Sequence, residues 1–295
     1  MRRTLLKRIV YNDPLENFIK GIVRHYLNKK SNQLIKKRGY PIAVFGNDWI
    51  GSSIFMSGIY EEHLIEDLFC VVNEVGFNLS KATIVDIGAN IGNHSIQFSR
   101  KFKKVFSFEP NPRVYEILVS NTKRISNIET YNLGIGRNSA VLKLKENWMN
   151  MGGSSATMNV VSDSIVDIEI STLDSMVNLL GKVDVIKIDV EGMELDVLLG
   201  ATEIISKNHP IICLEQDISE FKNEFNETAS LDFLRSLGYR FYVQKTYEQL
   251  PWLVLRLKNI FEIVFGCRSQ REILEFDRLP KKTYSMIFAI HCTSL

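Results

Sequence analysis

Little in this 295-residue sequence points to a cross-linked, metal-built or membrane-spanning protein. Its four cysteines (Cys70, Cys213, Cys267, Cys292) are scattered and form no Cys-x-x-Cys, and its five histidines do not gather around them. That pattern argues against a disulfide framework or a metal site and for a reducing, cytoplasmic compartment. Long apolar runs are also missing: the most apolar window, Trp252 to Phe265, is broken by Arg256, Lys258 and Glu262. It cannot span a bilayer. Near the start, Leu5 and Leu6 are followed at once by Lys7 and Arg8, so no secretory leader is expected.

Net charge is only +2, but it is unevenly spread. Residues 1–40 carry eleven Lys/Arg against Asp13 and Glu16, a local +9 that leaves the rest of the chain at −7. Such a head suits either a solvated basic helix or an anionic membrane surface. No aromatic residues interleave with the cations as in single-strand binders, so nucleic acid is not an expected partner.

What is present is a strand that runs into a glycine turn. Thr83 to Ile87 is β-branched apart from Asp86, and Gly88-Ala89-Asn90-Ile91-Gly92-Asn93-His94 then leads into a helical pattern. Such a turn brings ligand and backbone close together and offers helix N–H groups to polar atoms. It carries neither the Gly-x-Gly-x-x-Gly of a dinucleotide fold nor the Gly-Lys-Ser/Thr of a phosphate loop. The acid Asp86 opposes a pyrophosphate and suits a cationic ligand.

Around this stretch the pattern predicts two helices over 3–38, short strands over 42–56, and a helix over 60–75. Strands and helices then alternate: strands at 105–108, 129–133, 184–190, 210–215, 240–245 and 284–291, and helices at about 113–125, 172–180, 193–206 and 228–237. A hairpin excursion over about 137–171 surrounds a Met-rich loop, and a helical insertion falls at about 246–282. This reads as a basic N-terminal segment and cap over 1–76 and an α/β domain over 77–295 with a mostly parallel, doubly wound sheet. Ligands of such sheets sit beyond the strands' carboxyl ends.

The acids gather at those ends. Glu109 lies 23 residues after Asp86, placed to accept hydrogen bonds from a ribose diol or, alternatively, to cap the following helix. Lys187, Asp189 and Glu191 alternate along their strand, so they project to one face while it stays extended. A lysine in an apolar parallel strand needs an acid partner. Asp189 and Glu191 also suit helix capping, Glu215 would line the same cleft, and His94 is a base, a substrate contact or plain polar lining. Trp148, Met149 and Met151 suggest an apolar cover over the substrate.

Taken together, Val85-Asp86-Ile87-Gly88-Ala89-Asn90-Ile91-Gly92-Asn93-His94-Ser95, Phe108-Glu109-Pro110-Asn111, Leu133-Gly134-Ile135-Gly136, Ser171-Thr172-Leu173-Asp174 and Val185-Ile186-Lys187-Ile188-Asp189-Val190-Glu191-Gly192-Met193-Glu194 resemble the FkbM family of S-adenosylmethionine-dependent methyltransferases. The resemblance covers roughly residues 57–245 and implies a Rossmann-like class I methyltransferase fold. It implies methyl transfer to a hydroxyl of a glycan or small-molecule natural product. Asp86, Gly88, Ala89, Asn90 and Gly92 would hold the methionine end of the cofactor and Glu109 its ribose, with Asn111, Asn132, Leu133 and Gly134 around the adenine. Asp189 is the expected base, with Glu191 orienting the acceptor or Lys187, and no metal is required. His94 departs from the family pattern. An NAD-dependent oxidoreductase and a non-catalytic adenosylmethionine-binding module are the competing readings.

Overall fold

The computed structural model describes residues 14–46, 48–145, 165–221, 228–245 and 272–294. The expected first helix, the Trp148 loop and the part of the expected helical insertion over 246–271 lie outside them. The chain divides into two units, Met1–Tyr60 and Glu61–Leu295.

In the first unit, α1 (Pro14–Arg38) starts on a proline, whose fixed φ suits a first helical turn. The strands expected over 42–56 are instead α2 (Trp49–Ser57). Ile50 and Ile54 are spaced for a helix, and Gly51 lets it back onto Phe45, where a Cβ would meet the carbonyl oxygen at 2.1 Å.

The second unit opens with α3 (Glu62–Glu74), which groups with the sheet rather than with the N-terminal segment. Its core is an eight-stranded sheet built from β1 (Thr83–Ile87), β2 (Lys104–Phe108), β3 (Ile128–Tyr131), β7 (Val185–Ile188), β8 (Ile211–Gln216), β9 (Tyr239–Gln244), β10 (Ile273–Phe276) and β11 (Tyr284–His291). The order is β10-β9-β11-β8-β7-β1-β2-β3. β1 pairs in parallel with both β2 and β7, whereas β11 inserts antiparallel between β8 and β9. The chain therefore moves outward from β1 through β2 and β3, then returns to build the other half from β7. The switch point lies between β1 and β7, where the Rossmann-like fold opens its ligand cleft.

β4 (Gly134–Ile135), β5 (Ala140–Lys145) and β6 (Ile165–Ser171) form a separate three-stranded sheet, which includes the expected hairpin. β10 was missed: it pairs antiparallel with β9 inside the stretch read as a helical insertion. Its short sequence, Ile273-Leu274-Glu275-Phe276, has no clean alternation and takes its form from the neighbouring strand.

Alternation places Val85, Ile87, Phe106, Phe108, Ile186, Ile188, Ile212 and Leu214 in one large core, where Leu173, Leu198 and Ile204 cover them. The helix expected over 172–180 is the short α6 (Val177–Leu180), and that expected over 193–206 is two, α7 (Glu194–Leu199) and α8 (Thr202–Asn208). They part at Gly200-Ala201, where Gly200 lies against the segment after β4: a Cβ there would stand 2.0 Å from the carbonyl oxygen of Gly136. Gly200→Ala should therefore lower stability by about 1–3 kcal/mol, read as a fall in urea midpoint at unchanged m-value.

Candidate active site

The glycine turn leaves β1 with Gly88, Asn90 and Gly92 all at positive φ (78°, 50° and 87°). Gly88 is required by contact as well as by conformation, since a Cβ there would lie 1.8 Å from the Asp189 carbonyl oxygen. The turn's amides are used internally. Gly88 and Ala89 both donate to the Phe108 carbonyl (3.0 and 2.9 Å), and Gly92 donates to Ala89 (2.9 Å). Asn90 N–H donates to Glu109 Oε2 at 3.0 Å and Ile91 N–H to the Asn90 side chain at 2.7 Å. The N–H groups expected to face a ligand belong to the following helix, and these five amides are spent within the fold. They brace the turn against β2, and α4 (Asn93–Ser99) follows at once.

Glu109 ends β2 almost fully buried, at 8% exposure. Its Oε1 accepts from Asn111 N–H at 2.9 Å, so each oxygen holds one amide and keeps a lone pair for a further donor. Burial pushes its pKa up to about 7 despite these two bonds. Asn111 caps α5 (Pro112–Thr122) through Oδ1, while its buried Nδ2 has no hydrogen-bond acceptor among the described residues. Asn132 Nδ2 ties the end of β3 to the carbonyls of Glu109 and Pro110 (2.9 and 3.0 Å). Leu133 follows, and Gly134 is packed between Ile170 and Pro110. The fold thus gathers Gly88 to Gly92, Glu109, Asn111 and Asn132 to Gly134 around one edge of the cleft.

A polar row crosses the opposite face of the strands. Strand register aligns Ser107, Asp86, Lys187 and Cys213 on β2, β1, β7 and β8. Asp86 is fully buried: Oδ2 accepts from Ser95 Oγ at 2.5 Å, and Oδ1 lies 3.4 Å from Lys187 Nζ. It therefore reaches the cleft through Lys187 and Ser95 rather than by lining it. Ser107 Oγ donates to Ser95 Oγ at 2.9 Å and extends the row. Lys187 Nζ also lies 3.0 Å from Asp189 Oδ2 and 3.5 Å from the Gly88 carbonyl. Burial opposes its charge, yet Asp189 and Asp86 outweigh that and hold its pKa above the ordinary lysine value. Burial alone would raise Asp189, but Lys187 keeps it ionised and its pKa low.

Glu215 hydrogen-bonds Asp189 and is pushed up by its own burial and by that neighbour's charge, so the shared proton rests on Glu215. His94 is buried, and its pKa falls to about 4 through desolvation and the nearby Lys187 charge, which keeps it neutral.

β7 ends at Ile188, two residues earlier than expected. Asp189 still reaches Lys187, but Glu191 turns into a left-handed conformation (φ 49°) and is exposed, off the strand face assigned to it. The structure adds three residues. Glu61, with φ 52° at the start of α3, places Oε2 3.5 Å from His94 Nε2. Ser95 carries Asp86. Glu194, 2% exposed, accepts from Gly192 N–H at 3.1 Å and pins the Glu191 turn. Ser95 and Glu194 stand inside the sequence motifs, whereas Glu61 gave no local signal. Trp148 lies outside the described residues, and among those described no three His, Cys, Asp or Glu are grouped to hold a metal ion.

The family model described as Methyltransferase FkbM domain matches residues 86–241, more than half of the chain. The chain belongs to the FkbM methyltransferase family. Over 130 residues it is 31% identical to the hexuronic acid methyltransferase AglP of Haloferax volcanii, covering 43% of this chain and 53% of that protein. It is 26% identical over 189 residues to methyltransferase sdnD of Sordaria araneosa, covering 52% and 71% respectively. The chain thus spans about half the length of AglP. A crystal structure of methyltransferase FkbM from Methylobacillus flagellatus aligns at 20% identity and a TM-score of 0.33, covering 62% of this chain and 58% of that one. The FkbM segment runs from Asp86 at the end of β1 into β9 and contains both clusters except Glu61.

The burial of Glu109 makes stability depend on pH. Its folded pKa, about 7, lies above the ordinary 4.5, so the folded state holds this proton more tightly. The resulting stability is complete below about pH 4.5 and is lost as pH rises through about 7. Glu109→Gln should remove up to about 3 kcal/mol of that decline, seen by comparing urea unfolding of both proteins at about pH 5 and about pH 8.

Proposed function

We propose that this FkbM domain is an S-adenosylmethionine-dependent O-methyltransferase acting on a hydroxyl of a sugar or small-molecule acceptor. The observation that carries the reading is the pairing of Glu109 and Asn111 at one edge of the cleft with the Lys187–Asp189–Glu215 cluster at the other. Glu109 keeps acceptor capacity for the two hydroxyls of a ribose, and the unpartnered Asn111 Nδ2 suits an adenine nitrogen. Asn132, Leu133 and Gly134 flank the same base. Gly88, Ala89, Asn90 and Gly92 shape the cleft for the methionine end, with Asp86 behind them. When bound, the cofactor supplies a sulfonium-activated methyl group.

Asp189 accepts the hydrogen bond of the acceptor hydroxyl and takes its proton. Lys187 fixes the carboxylate, and Glu215 shares the proton within the pair. Glu191, at the rim, orients the acceptor, and His94 lines the cleft as a neutral group. A nicotinamide dinucleotide suits the site less well. Its pyrophosphate would meet a turn whose amides are already engaged.

Calorimetric titration should give micromolar affinity for S-adenosylmethionine and its demethylated product and none for NAD⁺. Glu109→Ala should weaken both about tenfold or more, or about 1.4 kcal/mol. With an acceptor in hand, Asp189→Asn should slow release of S-adenosylhomocysteine by about 10²–10⁴-fold while leaving cofactor affinity within a factor of about two. Saturation by NAD⁺ alone would overturn the reading.

We infer further that α1 contacts an anionic membrane surface. It carries seven Lys/Arg against Glu16, together with exposed Phe18, Ile22 and Tyr26, and among the described residues no helix is long and apolar enough to cross a membrane. Vesicle co-sedimentation should rise with anionic lipid and fall with salt. Indifference to both would count against it.

A further inference from the structure

Methyl transfer to a hydroxyl leaves the acceptor's class open, and Glu61 bears on that choice. It stands upstream of the segment shared with the family, residues 86–241. Its backbone is left-handed at φ 52°, at the start of α3. A quarter of its side chain is exposed, and Oε2 lies 3.5 Å from His94 Nε2. Its charge acts on both Lys187 and Glu215. Asp86 and Asp189 already flank this ammonium, and Glu61 adds a further negative charge to its surroundings.

That ammonium is already engaged. Lys187 Nζ lies 3.0 Å from Asp189 and 3.4 Å from Asp86, with 5% of its side chain exposed. It has no charge to spare for an incoming carboxylate. His94 is neutral by burial and offers none either. A carboxylate only accepts hydrogen bonds, so Glu61 favours partners that donate: hydroxyls and, more strongly, an ammonium. An anionic acceptor would meet like charges, an arrangement that discriminates by repulsion as much as by fit.

We propose that Glu61, beside the ionised Asp189, makes this site selective for an uncharged or amine-bearing polyol and turns away a uronic acid. The inference rests on the O-methyl-transfer reading and separates this chain from the relative named for hexuronic acid.

The test is calorimetry on the full chain preloaded with S-adenosylhomocysteine. The probes are methyl pyranosides of the gluco, galacto and manno series, each in neutral, 2-amino and uronic forms. In any series that binds, the uronate should be about tenfold weaker or more than its neutral counterpart, with the amino sugar at least as tight. Glu61→Gln should narrow both gaps. A uronate that binds as well as the neutral sugar overturns the inference, as does failure of every probe to bind, or an unchanged uronate-to-neutral ratio in Glu61→Gln. Failure to load S-adenosylhomocysteine would instead strike the methyl-transfer reading itself. Preference for a uronate after normal loading would strike only the selectivity.

Discussion

Lys187 is a cation placed inside a parallel sheet, and much of the site follows from how it is accommodated. Taking an ammonium out of water costs several kcal/mol unless carboxylates and carbonyls replace the solvent. Here Asp86 on the neighbouring strand, Asp189 two residues on and the Gly88 carbonyl do so together. These contacts join β1, β7 and the glycine turn at the switch point. The same cation keeps Asp189 ionised, so one buried charge joins the strands and sets the state of that carboxylate.

The glycine turn is shaped by a different demand. Phosphate-binding turns leave their amides open to an anion. In this turn five successive amides are spent on Phe108, Glu109, Ala89 and the Asn90 side chain. Gly88 allows close packing against the residue after β7, and Gly92 against Leu118 and Thr122 of α5, rather than forming an anion cradle. Among the described residues, the polar atoms around the turn left for a ligand include carboxylate oxygens and the amide donor Asn111 Nδ2. A site of that composition matches hydroxyls and cationic groups better than phosphates, consistent with family membership established from the matched segment.

The segment shared with the FkbM family ends within β9, yet the folded unit extends beyond it on both sides. β11 completes the sheet between β8 and β9, with β10 on the outer edge. At the other end, the turn into α3 supplies Glu61. The shared segment therefore carries Glu109, Asn111 and the central ion pairs, while Glu61, from outside it, adds an acid beside His94.

By itself the sequence determined the strand, glycine turn and helix at residues 83–99, the run of strands on either side, and the acids at their carboxyl ends. These are local or periodic features: β-branched runs make buried strands, and successive acids fall where such strands stop. It also required a partner for Lys187, because an unpaired charge in an apolar strand is untenable. What it could not supply was anything set by contacts distant along the chain. The tertiary structure decided that Asp86 faces inward to Ser95 and Lys187, that the turn's amides are consumed, and that β7 stops early and releases Glu191 from the row. It also turned residues 49–57 into a helix and brought Glu61 to His94 across 33 residues of sequence. Hydrogen-bond partners and burial belong to three-dimensional neighbours, and one-dimensional spacing carries them only when the neighbours share an element.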